Sequence, residues 1–444
     1  MNKRYDVIIV GAGCAGLLAA KAAAENGLEV ALLEKKQDPA KLVRACGQTL
    51  VSMNEPLFGD FCIFNPRDKR IGFPGAGFSF KYEGPYRNLY AQHLFAPSGH
   101  RIEIGDVKQQ MAKGDAGKIG LVIDKESFFR GLLKDLKTCH VDIFAGTPVE
   151  KVTPVEGGVR AESGSKAFEA RYLIGADGVN SRVAESMGFN KERTYYCNMI
   201  ALVWDMSGIE LPEPGVMYTI QAFYKGMGVM LFTFPQAVDG VYTNNVVTVD
   251  PRVNLEEAMQ YVMSKPFAAP WFRKAKKIKA RSAICNCYSA ITEVSRDGVL
   301  LAGDAGSTQE LENTGAMMSG WRAGQAISIA VQQDKFGLPQ SGIEKYVDWW
   351  KSIYGPKHGE TYMKMYTTPY LMPSEEEVDY VFGLMQGPLR ACWNPYTSPM
   401  GEAMRKIIPT IQRERPELMA KMARGRQPLT EIFKEIASVS KPVS

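Results

Sequence analysis

The sequence predicts an α/β protein: a Rossmann-like nucleotide-binding domain interleaved with an antiparallel β-sheet domain, then a helical carboxyl-terminal region. Three observations carry this. The chain opens with an apolar strand, a glycine turn and an alanine-rich helix, the order of a dinucleotide-binding unit. Residues 185–275 hold runs of alternating apolar and polar residues separated by turn signals. After about residue 340 the pattern turns helical and rich in methionine.

The bulk properties set limits. A chain of 444 residues exceeds one ordinary core and suggests two or three domains. With 45% hydrophobic and 23% charged residues it is globular rather than disordered. Its net charge of +5 is read as small and evenly spread, with no basic tract, which argues against a nucleic-acid partner. Eight cysteines form no C-x-x-C pair, so no metal site is expected. The thiols are read as reduced and the compartment as cytoplasmic. The apolar run at the amino terminus is interrupted by a glycine loop and is not read as a signal peptide. No run of about 18 apolar residues suggests a membrane span.

In the first unit, residues 5–10 (YDVIIV) form the strand and Gly11-Ala-Gly13-Cys-Ala15-Gly16 the turn. Gly11 permits the tight turn, Gly13 lets a pyrophosphate approach the backbone, and Gly16 lets helix and strand pack closely. Residues 17–26 are helical, and residues 29–33 form a second strand ending at Glu34-Lys35. A carboxylate there accepts from both ribose hydroxyls and repels a 2′-phosphate, so NADP is not expected at this site.

Two later stretches lengthen the site. A strand runs into Asp177-Gly178, after which Asn180, Ser181 and Arg182 open a helix. Another ends in Gly303-Asp304, and a loop leads to a helix at about Gly315-Ala316. A carboxylate after a strand-end glycine reaches a ribityl hydroxyl, and a helix amino terminus holds the flavin edge where negative charge collects. Determinants spread over some 300 residues imply a dinucleotide longer than NAD. No second G-x-G-x-x-G unit exists for a nicotinamide domain, so electrons arrive transiently or from another protein.

These three signatures, in this order, resemble the p-hydroxybenzoate-hydroxylase-like superfamily of FAD proteins. The resemblance implies FAD, with Gly11, Gly13, Gly16 and Glu34 on its ADP half, Asp304 on the ribityl and pyrophosphate region, and Asp177 and Arg182 closing over it. Within the superfamily, Cys46-Gly47 resembles the pair that lies near the flavin in the geranylgeranyl reductase branch. The helical tail from Tyr346, with its capping sequence Ser374-Glu-Glu-Glu, is similar to that branch as well. Phe234-Pro235 ends a stretch similar to the branch's Tyr-x-Trp-x-Phe-Pro element, with Met230 and Phe232 replacing its first two aromatics. The family's arginine in the amphipathic helix 124–137 appears as Lys125.

The branch implies an FAD-dependent oxidoreductase that reduces, or forms, carbon–carbon double bonds of an apolar or polyprenyl lipid. NAD(P)H or a reduced electron-carrier protein is the external donor. Met217, Phe223, Met230, Phe232, Phe234 and Pro235 are the expected substrate wall, joined by Met206, Tyr218 and Met227. Cys46 either delivers the proton that accompanies hydride or fills space beneath the ring. Glu310 and Glu312 are candidate acids or solvated loop residues, and Arg44 is a candidate pyrophosphate ligand or a surface residue. Two rivals stay open: an aromatic-ring monooxygenase of the same fold, and an electron-transfer flavoprotein passing electrons to quinone.

Residues 1–70, 100–185 and 275–340 are assigned to the FAD-binding domain, 71–99 and 186–274 to the substrate domain, and 341–444 to the helical region. Residues 400–422, basic and amphipathic, are expected to break at Pro409 and Pro416. They pack inward or rest on an anionic membrane surface.

Overall fold

The computed structural model describes residues 3–307, 312–354 and 360–443. Among these, eight strands form a sheet around parallel pairs: Asp142–Phe144, Val30–Leu33, Arg4–Val10, Lys166–Gly175 and Val299–Leu301. Its central strands are buried on both faces, which is why Arg4–Val10 reads as an unbroken apolar run. The helix Cys14–Glu25 covers one face and packs against Glu312–Lys335, the longest helix described. The approach is close because Gly320 and Gly324 lie on the carbonyls of Ala15 and Ala19, where a Cβ would sit 2.0 and 2.4 Å away.

The second layer is a seven-stranded sheet in the order Lys276–Tyr288, Tyr195–Ser207, Val241–Thr248, Met227–Pro235, Val216–Tyr224, Ala91–Phe95 and Arg101–Ile104. The alternating runs of residues 185–275 are the strands Tyr195–Ser207, Val216–Tyr224, Met227–Pro235 and Val241–Thr248 here. The sheet is not wholly antiparallel, however, because Val216–Tyr224 pairs in parallel with Ala91–Phe95. The helix Leu255–Met263 covers one face, and the other faces the nucleotide-binding layer.

Three boundaries move. Lys276–Tyr288 and Arg101–Ile104, assigned by sequence to the FAD-binding domain, are the two edge strands of this sheet. Conversely, Arg70–Phe73 and Phe78–Lys81 form a small sheet with Ile63–Asn65 and pack into the nucleotide-binding core. Lys276–Tyr288 joins through the distant Tyr195–Ser207. The locally paired strands Arg101–Ile104, Arg70–Phe73 and Phe78–Lys81 are placed by which layer they pack against. Neither is encoded in a local pattern.

The tail is helical and docked. Ala403, Ile407 and Ile411 of the helix Met400–Glu414 are buried with Val378 and Phe382, so its apolar face is turned inward. Pro409 does not break this helix, since the buried residues on either side hold it in place, and Pro416 begins the next. No helix among the described residues is long and apolar enough to cross a membrane.

Candidate functional site

A cavity of 1520 Å³ lies between the two layers and runs from the glycine turn to the tail helices. That exceeds the span usual for a single small ligand, about 300–1,000 Å³. Its nucleotide end is built by the strand ends. Glu34, buried at the end of Val30–Leu33, accepts from Ala12 N–H at 2.6 Å and Lys36 N–H at 2.9 Å, which aims the carboxylate while leaving lone pairs for hydroxyl donors. Gly11, at φ +99°, packs its Cα on the carbonyl of Ala176, where a Cβ would stand 2.5 Å from oxygen. Gly13 has open space where its Cβ would be, and that space is cavity.

Further along, the helix Lys125–Thr138 and the first turn of Glu312–Lys335 meet the segment holding Cys46. Lys125 Nζ donates to Asn313 Oδ1 at 2.6 Å and to Cys46 Sγ at 3.5 Å, and Cys14 Sγ donates to the same Asn313 oxygen at 3.5 Å. Burial pulls the Lys125 ammonium down, but the Cys14 and Cys46 thiols and the Asp304 carboxyl pull it up, and the net direction is up. Asp304 Oδ1 is buried without a hydrogen-bond partner. Burial, with the Glu312 carboxyl beside it, pushes Asp304 up to about 6 against the pull of Lys125 and Arg44. Asp177 accepts from Ser181 Oγ at 2.6 Å and Arg182 N–H at 2.7 Å, so it holds the first turn of the helix Arg182–Ser186, which Ser181 caps, while bordering the cavity. Burial nonetheless pushes its carboxyl up.

The structure brings most of the expected residues to this one wall: Gly11, Gly13, Ala15, Glu34, Lys35, Arg44, Cys46, Gly47, Asp177, Arg182, Gly303, Asp304, Glu312 and Ala316. Arg44 Nη2 also donates to Ile284 O at 3.1 Å, tying its segment to the seven-stranded sheet. Met217, Met230, Phe232 and Phe234 line the sheet side. Phe234 lies 3.3 Å from where a Gly47 Cβ would be, so the glycine sets how close sheet and Cys46 come.

Seven expectations are corrected and one lies out of view. Gly16 serves packing and does not touch the cavity, since its Cβ would stand 1.8 Å from Gly11 O. Gly315 is buried on the far side of its helix; the helical turn presents Glu312, Asn313 and Ala316 instead. Pro235 points away because Phe234 points in. Phe223 lies at its strand's end in the core beneath Met372 and Phe382. Met206, Tyr218 and Met227 face the opposite core, under the helix Leu255–Met263. Glu310 lies outside the described residues. The sequence reading missed Cys14 and Asn313, and it missed the tail residues that close the cavity's far end, Tyr366, Met372, Trp393 and Met404 among them. A glycine signalled one of these contacts: Gly120 leaves 2.4 Å between its absent Cβ and the Trp393 ring.

The family described as FAD binding domain matches residues 4–308. The chain belongs to this FAD-binding family. It is an FAD-dependent oxidoreductase. Its sequence is similar to the digeranylgeranylglycerophospholipid reductase of Methanocella arvoryzae, 24% identical over 341 residues, 75% of this chain and 79% of the relative. It is similar also to that of Methanocaldococcus jannaschii, 26% identical over 387 residues, 82% and 85%. A geranylgeranyl bacteriochlorophyll reductase-like protein from Thermoplasma acidophilum shares the fold, with TM-score 0.66 and 17% identity over 95% of this chain and 99% of that one. The flavin-dependent halogenase CmlS shares it at TM-score 0.59 and 18% identity, over 93% and 78%.

The residues of this FAD-binding protein fit the cofactor on two structural grounds. A buried carboxylate oxygen without a partner, on Asp304, suits a ribityl hydroxyl donor. The open seat at Gly13, at the start of the helix Cys14–Glu25, suits a diphosphate.

Proposed function

We propose that this protein reduces, or in the reverse sense forms, carbon–carbon double bonds of a polyprenyl lipid. The carrying observation is that one cavity continues from the nucleotide end, past Cys46, into a section walled by Met230, Phe232, Phe234, Met372 and Met404. An extended hydrocarbon fits that geometry, with flexible methionines following its shape. The names of the similar proteins, reductases of geranylgeranyl groups, support the same reading.

Bound FAD supplies a hydride at N5. The chain's own residues do the rest. Glu34 holds the adenosine ribose, Asp304 a ribityl hydroxyl, and the glycine turn with Arg44 the pyrophosphate. The apolar sheet face excludes water and aligns the alkene. Cys46 gives its thiol proton to the carbon opposite the one that receives hydride, and the Lys125–Asn313 pair fixes the thiol's position. Glu312, at the same wall, is the second candidate acid.

The test is anaerobic: holoenzyme, chemically reduced, is mixed with a digeranylgeranylglyceryl lipid and the lipid is weighed by mass spectrometry. The expected result is stepwise gain of H₂ with reoxidation of the flavin. An unchanged lipid, with reoxidation only by O₂ and a phenol or by a quinone, would replace this reading with the hydroxylase or electron-transfer alternative.

A further inference from the structure

The edge strand Lys276–Tyr288 pairs with one strand only among the described residues, Tyr195–Ser207. The run that enters it, residues 273–281, holds Arg273, Lys274, Lys276, Lys277, Lys279 and Arg281, a cluster that the even spread read from the net charge overlooked. The structure sorts these cations. Arg281 is buried against Asp205, Lys274 pairs with Glu210 at 2.8 Å, and Lys279 lies 3.8 Å from Glu126. Arg273, Lys276 and Lys277 are exposed and form no ion pair among the described residues, although Arg273 joins Lys274 in lowering the Glu210 carboxyl. Lys277 lies 4.6 Å over the Trp204 ring.

Apolar side chains stand exposed along the same edge. Ile278 is 57% and Ile284 46% exposed, and Val43 is 54% exposed on the segment beside the strand, where Ala45 N–H donates to Ser282 O at 3.1 Å. Val43, Ser282 and Ile284 also line the cavity, so the cationic edge ends at its mouth.

We propose that this edge docks an acidic one-electron carrier protein that reduces the flavin. The proposal rests on the FAD reading and on an external donor, not on which alkene is reduced. The one dinucleotide fingerprint in the sequence is taken by FAD. Unpaired exposed cations steer an acidic partner, and transient redox contacts need little area, under about 1,200 Å² in total. From Lys276 to Ser282 the strand rises roughly 20 Å at about 3.4 Å per residue. A carrier of ~100 residues, with a radius of gyration near 13 Å, spans both the cations and the cavity mouth. A bilayer fits less well, since interfacial segments present one broad apolar face. Here the apolar residues are few and cations occupy both faces of the strand. The electron balance closes with two docking events: two carriers are each oxidised by one electron, and the flavin takes both electrons with protons from water.

The probe is a small acidic plant-type ferredoxin, photoreduced for kinetics and oxidised for binding. Wild-type holoenzyme is compared with the R273E/K276E/K277E variant at low salt and at ~0.15 M salt, where screening acts within about 8 Å. For the wild type, binding and the second-order rate of flavin reduction should both fall steeply with salt. For the variant both should be at least ~10-fold lower at low salt and nearly flat, while reduction by dithionite and circular dichroism stay unchanged. Equal rates for the two proteins, or a ferredoxin inert at every salt, would overturn the proposal. So would a variant that loses flotation with phosphatidylglycerol vesicles yet keeps its ferredoxin rate, which would make the edge a membrane seat. A wild type that accepts these electrons but saturates no prenyl lipid keeps the docking site and loses the alkene reading.

Discussion

Asp304 sets binding against stability. Its enclosed carboxyl has one oxygen without a partner and holds its proton up to about 6. Unfolded, an aspartate releases its proton near pH 3.9. Between about pH 4 and 6 the folded apoprotein therefore binds more proton than the unfolded chain, and stability falls as pH rises through that window. Above it the cost is about 3 kcal/mol at ~1.4 kcal/mol per unit. Apoprotein carrying Asp304→Asn should melt higher than wild type at neutral pH, with the gap closing towards pH 4. Its FAD affinity should drop about 10- to 100-fold, because a charge-assisted hydrogen bond is lost. Melting curves against pH and a flavin titration check both; a variant that melts lower at neutral pH would mean the carboxylate is satisfied. Cys46 makes the complementary case. Cys46→Ala should keep FAD and lower single-turnover alkene reduction by about 10²- to 10⁴-fold, the usual worth of a positioned acid. Undiminished turnover would shift the proton to Glu312 or water.

The glycine turn separates two kinds of requirement that its sequence motif runs together. Gly16→Ala would drive a Cβ to 1.8 Å from the backbone oxygen of Gly11, where nothing flexible can yield. It should cost about 3 kcal/mol or more, at the upper end of overpacking effects, and reduce soluble yield. Gly13→Val meets no protein atom within 4 Å of its Cβ, and Gly13 has an ordinary φ of −84°. It should fold with a near-normal melting temperature and fail to bind FAD. If both variants melt alike, the division is wrong. The same contrast explains what could be read at this scale. Local order, strand then glycine turn then helix, is written in adjacent residues and was legible. Facing was also encoded, since neighbours on a strand point to opposite sides. Grouping Met217 with Tyr218, and Phe234 with Pro235, in one wall ignored that period. Sheet membership of Lys276–Tyr288 was not legible, because its partner strand begins eighty residues earlier.

Across the whole molecule, the helical tail behaves as part of the site. Its helical character was plain in the sequence, but its destination was not, since the contacts that fix it join residues hundreds of positions apart. Leu429, Ile432 and Phe433 share a buried cluster with Cys197 and Met199 of the seven-stranded sheet, and Met199 also lines the cavity. Other tail residues close the cavity's far end. A unit that completes another's binding chamber and shares its core should not unfold alone. Phe433, 1% exposed, tests this, for its ring sits with centroid 6.0 Å from that of Tyr196. Phe433→Ala should cost about 3–5 kcal/mol. Denaturant melts followed by far-UV circular dichroism and by release of bound flavin should move together to lower midpoints. A split melt, with part of the helical signal lost early and flavin release at the wild-type midpoint, would make residues 360–443 an appended unit and remove the tail from the chamber wall.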